Sequence, residues 1–474
     1  MDTIDLRVVN LGGINNKISP FNRADGELTR CVNMYTDQVG AKRKRVGYGT
    51  LAGTADGSAP QSLFQWISGD NSKNYLYRAS GTKLYYYDVN SGAGDWTVCG
   101  NGTITANAHV GHAVLDDTLI IGEAAGSTRH TTDGTSFTNT TLAPVGEYLE
   151  EKYNRIFIGG TASDLFYSTT NDATNWSLSG TADSSSIKIT GAGRINSTYS
   201  AMDRLMIGKN SGVTKRWDDY SLVTIPTSKG YSSPYSRAEV EGYHIGLNRL
   251  GYYGYGGNAF ELLSNPIQSQ IYNDDGTGIS GPVFSTAPAV SHKYMYYCSV
   301  GNLTDFYTKE PIANCIHVYN YQLNEWYDYK FNNLPTAWCS YIDKNNNEQL
   351  MFGASGGQCY QMSGTATTDS GQAIESVLEG FIHTEAPENV KLWNHVHAFA
   401  NPGCQAHLQL AASSTFTRDD LDWFDCGDLR NGVLDVHRKS LRGRFLYYKI
   451  TENSKDTPFV FYGFTTEYDV IGDI

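Results

Sequence analysis

The chain has 474 residues, with 36 Lys and Arg against 49 Asp and Glu, a formal net charge of −13. That balance argues against a protein that grips nucleic acid by neutralising phosphates, although an acidic wall around a passage would repel DNA rather than trap it, so an annular protein stays open. Forty-nine glycines, 33 tyrosines and only 13 prolines favour many short strands and turns over helix bundles or a doubly wound sheet, and the length allows two or three domains.

Leu6 to Leu11 reads as an opening strand, followed by turn material at Gly12-Gly13 and Asn15-Asn16. ELTRCVNMY (27–35) leads through Gly40 into AKRKRVGYG (41–49). The Lys42-Arg43-Lys44-Arg45 run invites a nucleic-acid or targeting reading, with a solvated strand or a subunit contact as the simpler one. From Ser62 to Gly100 four candidate strands, SLFQWI, NYLYRA, KLYYYDV and DWTVCG, are separated by polar or glycine turns. Alternation in the second and third predicts sheets with one face buried and the other partly wet.

Gly111 to Leu115 and Thr118 to Gly122 precede the turn-rich RHTTDGTSFTNTTL (129–142). In residues 148–178 a strand Arg155 to Gly159 ends at Gly159-Gly160, and Leu165 to Ser168 is joined to Trp176 by a polar turn. Strands of four to six residues between such turns predict a β-meander. NRIFIG at 154–159 recurs as DRLMIG at 203–208, 49 residues later, and weaker echoes run through most of the chain. Repetition of one sheet-forming unit predicts blades around an axis. The rhythm continues through 242–263 and through HKYMYYCSV, NCIHVYNY, NEWYDYKF, AWCSYI, QLMFGA and QCYQMS (292–363). TATTDSGQAI (365–374) marks a composition change, beyond which five regularly alternating segments predict an antiparallel sandwich. The expected fold is therefore all-β, a β-propeller at 51–364 followed by a sandwich-like domain at 365–474, with an N-terminal ring-contact segment at 1–50.

Chemistry finds little footing. Cys31, Cys99, Cys298, Cys315, Cys339, Cys359, Cys404 and Cys426 include no CxxC pair, which predicts buried free thiols in a reducing compartment. YNDDGTGISG (272–281) lacks the spacing and terminal glutamate of a calcium loop and reads as a turn. Asp116-Asp117, Asp218-Asp219 and Asp419-Asp420 lie near turns, as candidates to neighbour a glycan or metal, with a solvated turn the simpler reading. His395 and His397, two apart on a strand, share a face; a metal site would need His407 or His437 as well, and separate packing or surface roles are the alternative. HExxH and phosphate-loop signatures are absent from the sequence. We therefore assign no catalytic, cofactor-binding or metal residues and expect no enzyme. Trp66, Trp96, Trp176, Trp217, Trp326, Trp338, Trp393 and Trp423 would stack on sugars if exposed, but blade packing explains them as well. MDTIDLRVVN lacks the form of a signal peptide, and no apolar run approaches membrane-spanning length; a soluble product made in the cytoplasm is expected.

ELTRCVNMYTDQVGAKRKRVGYG, NRIFIGG…LFYSTTNDATNWS and KITENSKDTPFVFYGFTTEYDVIG together resemble the tail hub, or packaged-DNA stabilisation, proteins of short-tailed bacteriophages, with tail nozzle proteins as more distant relatives. The likeness rests on Asn33, Gly40, Arg45 and Gly47, on Asn154, Arg155, Ser168 and Trp176, and on Pro458, Phe459, Tyr462 and Gly463. It covers nearly the whole chain as an order of modules, with sparse identities. The resemblance implies a propeller subunit of a hexameric ring in the virion tail or neck, below the portal and adaptor. Such rings pass DNA without sequence preference, retain the packaged genome and hold fibres, spikes or a plug. A carbohydrate-recognition or tail-decoration module for host attachment is the second expectation, and a glycan-degrading enzyme the third.

Overall fold

The computed structural model describes residues 3–9, 11–17, 22–51, 53–92, 94–160, 162–179, 182–218, 221–225, 229–272, 278–305, 307–384, 387–415, 418, 421–429, 431–455 and 457–473. The all-β expectation holds. Helix among the described residues is confined to Gln268–Ile271, Gly281–Thr286 and a 3-10 turn at Asn265–Ile267, and no helix there is long and apolar enough to cross a membrane.

Five four-stranded antiparallel sheets follow one another, covering residues 60–103, 110–139, 148–188, 195–224 and 238–262. A sixth antiparallel group, 289–330, is part of a nine-stranded sheet. The seventh, 335–362, takes Tyr48–Thr50 as its fourth strand before continuing through two short strands. These small sheets are propeller-like blades, and the four strands expected between Ser62 and Gly100 form the first of them.

The repeated hexapeptide has a local cause. NRIFIG and DRLMIG each begin on the second residue of a two-residue hairpin loop whose central residues both have positive φ, Tyr153 (54°) with Asn154 (55°) and Met202 (49°) with Asp203 (61°). Such turns match the twist of the flanking strands. Asp116 (46°) with Asp117 (62°) and Glu241 (50°) with Gly242 (78°) make the same turn in the second and fifth sheets. The Asp116-Asp117 pair is thus the tip of a hairpin, as its simpler reading predicted. The glycine closing the hexapeptide at Gly159 lies where a Cβ would press on the Ile195 side chain of the next sheet, 2.9 Å away.

Each sheet buries apolar residues against the next. Phe64, Trp66 and Tyr77 meet Leu119, Ile121 and Phe137; Ile120 meets Ile156, Ile158 and Trp176; Phe157 and Leu165 meet Ile207 and Trp217; Tyr199 and Met206 meet Tyr231 and Tyr255. The seventh returns to the first, with Cys339, Tyr341 and Met351 packed on Leu63, Leu76, Tyr87 and Trp96.

The C-terminal part forms two larger sheets. One contains Thr3–Val9, Met34–Thr36, Lys42–Lys44, Asn389–Ala400, Val433–Gly443 and Val460–Asp473. The other continues the sixth blade: Leu28–Val32 runs parallel to Glu325–Lys330 and antiparallel to Ser376–Ile382, which leads on to Phe445–Glu452, His407–Ser413 and Phe424–Asp428. The two layers share one core, in which the Tyr448 and Phe464 rings meet edge-on at 4.9 Å. The opening strand lies at Thr3–Val9, earlier than expected, and pairs with the chain's last strand. The centre of the 272–281 turn lies outside the described residues, as do Asp219, Asp419 and Asp420.

Candidate functional site

The basic run does not face solvent. Lys42–Lys44 lies between Met34–Thr36 and Val460–Asp473, and strand alternation buries Lys42 and Lys44 while exposing Arg43 beside Asp37. Lys42 donates to Thr36 Oγ1 at 2.6 Å and stands 3.5 Å from Glu325. Lys44 Nζ donates to Glu452 Oε2 at 2.7 Å and to the Ser454 carbonyl at 2.8 Å. Arg45 forks onto Asp369 at 2.8 and 2.6 Å, donates through Nε to Asn33 Oδ1 at 2.7 Å and through Nη2 to the Lys330 carbonyl. The expected solvated strand is corrected in part: three of the four cations are spent inside this chain, and only Arg43 faces solvent. They tie the N-terminal segment to the sixth and seventh blades and to the C-terminal sheets.

Where the first strands of the blades converge, a cavity of 360 Å³ is lined by Phe64, His109, His112, Glu150, Tyr235 and Arg237 among others. His109 stacks on Tyr235 at 3.8 Å and His112 on Phe64 at 4.2 Å. Desolvation against the cavity wall lowers His109 to about 3, and it lowers His112 less, because the His112 ring remains open to solvent. Burial also raises the Glu150 carboxyl, although its Oε1 accepts from the Ser200 amide at 3.0 Å. A second, wider cleft of 610 Å³ lies beside the fourth and fifth blades, where Tyr148, Tyr235, Tyr272 and Phe284 stand with Arg194 and Arg249.

The tryptophans divide sharply. Seven of the eight are buried, and only Trp423 is half-buried. Trp326 donates to the Leu263 carbonyl at 3.0 Å and Trp338 to Ser299 Oγ at 2.9 Å. These seven rings therefore pack blades and sheets, and aromatic exposure sits instead on Tyr272 (58%) and Tyr462 (53%). Seven of the eight cysteines are likewise buried as free thiols.

Two polar clusters contain metal-ligating residue types. In the first, strand pairing sets His395 opposite His437 and His397 opposite Asp435. His395 Nε2 is hydrogen-bonded to Asp435 Oδ1, His437 Nε2 is 3.3 Å from the same oxygen, and His397 Nδ1 is 3.5 Å away. On the other side of His395, Glu467 Oε2 is 3.7 Å from Nδ1. The His395 hydrogen bond holds the Asp435 carboxyl below its usual range. Of the two partners considered for His395 and His397, the structure brings up His437; His407 lies on the other sheet with Asp425 and Asp428. The sequence reading of separate roles is corrected to one shared cluster. Asp435 went unnoticed, although its i, i+2 spacing from His437 matches that of His395 and His397.

The second cluster, Cys315, His317 and Asp328, is fully buried on neighbouring strands of the sixth blade. His317 Nδ1 meets the Tyr252 hydroxyl at 3.0 Å, and Asp328 Oδ2 accepts from Gln270 Nε2 at 2.9 Å. His317 Nε2 and Asp328 Oδ1, 4.0 Å apart, have no hydrogen-bond partner. Burial pushes His317 down to about 3, Cys315 well up, and Asp328 up to about 7. CIH and WYD read as ordinary strand alternation, so only the cross-strand register reveals this grouping.

The class defined by these observations is an all-β protein of propeller-like blades joined to larger mixed sheets. No protein-family profile matches the sequence, and no curated protein matches it. Among solved structures the chain is similar to YCF48 from Cyanidioschyzon merolae, with 10% identity and a TM-score of 0.43 over 67% of this chain and 98% of that one. It is also similar to BamB from Moraxella catarrhalis (12% identity, TM-score 0.40, 68% of this chain and 90% of that one). A computationally designed protein, Ika8, gives 12% identity and a TM-score of 0.40 over 67% of this chain and 99% of that one.

Proposed function

We propose that the chain is a structural subunit of a tailed-phage particle, a seven-bladed β-propeller joined to a sandwich-like C-terminal module. In this reading six copies form a hub or nozzle ring in the virion tail or neck. The ring extends the DNA channel below the portal and adaptor, helps retain packaged DNA and carries fibres, spikes or a plug, without a catalytic step. The observation that carries it is the joint between the two parts: the buried Lys44–Glu452 and Arg45–Asp369 pairs and the strand Leu28–Val32 that makes the sixth blade and a C-terminal sheet continuous. A ring subunit that bears load across its length needs such a rigid union. The C-terminal sheets also expose Phe399, Val433, Tyr462, Val470 and Ile471, apolar surface suited to contact between identical copies. The central cavity has the size of a small-ligand pocket, too small for a duplex whose major groove alone is about 12 Å wide. The DNA passage therefore lies between copies, not along the blade axis. Antibody-labelled electron microscopy of the particle, with averaging of the labelled assembly, tests this. The expected result is a cyclic ring on the tail axis with a through-channel; isolated copies at the periphery overturn it.

The 610 Å³ cleft favours a second reading, the carbohydrate-recognition or tail-decoration module for host attachment. Tyr272 and Phe284 offer ring faces to a sugar, and Arg194 and Arg249 offer guanidinium groups to an acidic one. Binding of host-derived glycans that is lost in Tyr272→Ala, from copies located off the axis, supports this reading over the first.

A further inference from the structure

We propose that His395, Asp435 and His437 form a binding site for a divalent transition-metal ion of the zinc type, with His397 as the nearby fourth donor. The site stands on geometry independent of the tail assignment. Three imidazole nitrogens converge on one carboxylate oxygen, while the His395 ring centroid lies 3.8 Å from that of His397 and 3.7 Å from that of His437. With protons alone, three N–H groups would have to crowd onto one carboxylate oxygen, which has two lone pairs to offer. A metal ion reverses the demand, because neutral imidazoles then present lone pairs and the carboxylate supplies negative charge. Bonds of about 2.0–2.1 Å in a tetrahedral arrangement place neighbouring ligand atoms about 3.3 Å apart. The His437 Nε2 to Asp435 Oδ1 separation of 3.3 Å and the His397 Nδ1 separation of 3.5 Å match that edge, whereas His395 Nε2 sits closer to the same oxygen and must draw back to admit an ion.

The platform is rigid in the way such sites require. Ligands come from adjacent positions of two paired strands, each pair two residues apart and therefore on one face. His395, with a side chain only 11% exposed, has the Glu467 carboxylate 3.7 Å from its Nδ1, placed to draw closer as the outer partner that favours the tautomer with Nε2 free. Asp435 (47% exposed) and His437 (72% exposed) open the other side to solvent, so an ion enters without unfolding. Two or three imidazoles with one carboxylate suit zinc, cobalt, nickel or copper better than the oxygen-preferring magnesium or calcium.

The full chain, stripped with chelator, is titrated with Co2+ and followed by visible absorption, then with Zn2+ by calorimetry. One ion per chain is expected, with a tetrahedral cobalt spectrum lacking thiolate bands and displaced by Zn2+. His437→Ala, at an exposed position, folds as the parent does and weakens Zn2+ binding at least tenfold; Asp435→Asn does the same, and Cys315→Ser leaves binding unchanged. Absence of Zn2+ binding to the folded parent, equal binding by His437→Ala, or thiolate bands lost in Cys315→Ser would each overturn the assignment.

Discussion

Replacing Asp328 by Asn tests whether the buried cluster in the sixth blade is held in its uncharged form. The Asp328 side chain is 1% exposed, only Oδ2 has a hydrogen-bond partner, and burial raises the carboxyl to about 7. Against an unfolded value of 3.8, the shift of about 3 units is worth about 4 kcal/mol at 1.36 kcal/mol per unit. The folded state binds the extra proton, so this stability is fully present below pH 3.8 and is lost as pH rises through about 7. Between pH 5 and pH 8 the loss is about 3 kcal/mol by the same relation. Asparagine keeps an acceptor for Gln270 and has no proton to lose. Denaturant midpoints of parent and Asp328→Asn, measured side by side from pH 5 to pH 8, cancel the contributions of every other group. The parent should weaken relative to the variant across that window, most steeply from pH 5 to 6, and level off above about pH 7. Parallel pH profiles, or a parent that gains on the variant as pH rises, would refute the protonated-carboxyl reasoning.

Arg45→Met leaves Asp369 buried without its fork and should cost about 3–5 kcal/mol; restoring balance with Asp369→Leu in the same chain should recover much of it, read by denaturant midpoint. Gly159→Ala drives a methyl toward Ile195 and should cost about 1–3 kcal/mol as overpacking, whereas Leu142→Gly, at an exposed position with φ of 63°, should gain about 0.5 kcal/mol from relieved left-handed strain. A thiol reagent added to the native protein should modify Cys426 first, with the other seven cysteines reacting only on denaturation, because those seven are buried.

Much of the fold was legible because a blade is a local object. Its strands are neighbours in sequence, its turns carry the residues that tolerate positive φ, and alternation of six or seven residues suffices to mark a face. The second and fifth hairpins were read as strands but not as copies of the repeat, because DTLIIG and GYHIGL preserve the turn geometry but not the Asn/Asp-Arg letters of NRIFIG and DRLMIG. What could not be read was long-range pairing. Nothing in LTRCV announces that Leu28–Val32 sits between Glu325–Lys330 and Ser376–Ile382, or that Tyr48–Thr50 completes the seventh blade. The candidate sites fared the same way. His395 and His397 were visible as a pair, but Asp435 joined them only through the strand register.

The fate of the basic run bears directly on the proposed role beside a DNA passage. Among the described residues ten cationic side chains are buried (Arg23, Arg30, Lys42, Lys44, Arg45, Arg78, Arg129, Lys209, Lys215 and Lys391) against seven anionic ones (Glu123, Glu147, Asp305, Asp328, Asp369, Glu379 and Glu452). Burial thus removes more positive than negative charge, and the surface is more acidic than the formal −13 of the sequence. Affinity for DNA backbone comes from surface Lys and Arg that displace counterions, and falls steeply with salt. This chain should therefore show no measurable binding to duplex DNA at 0.15 M salt in a fluorescence-anisotropy titration, and lowering the salt should produce little gain. A wall of this kind lets a moving polymer slide past without sticking. Tight binding at physiological salt with a strong salt slope would mean that a basic track exists on the surface, and would count against the proposed repelling passage.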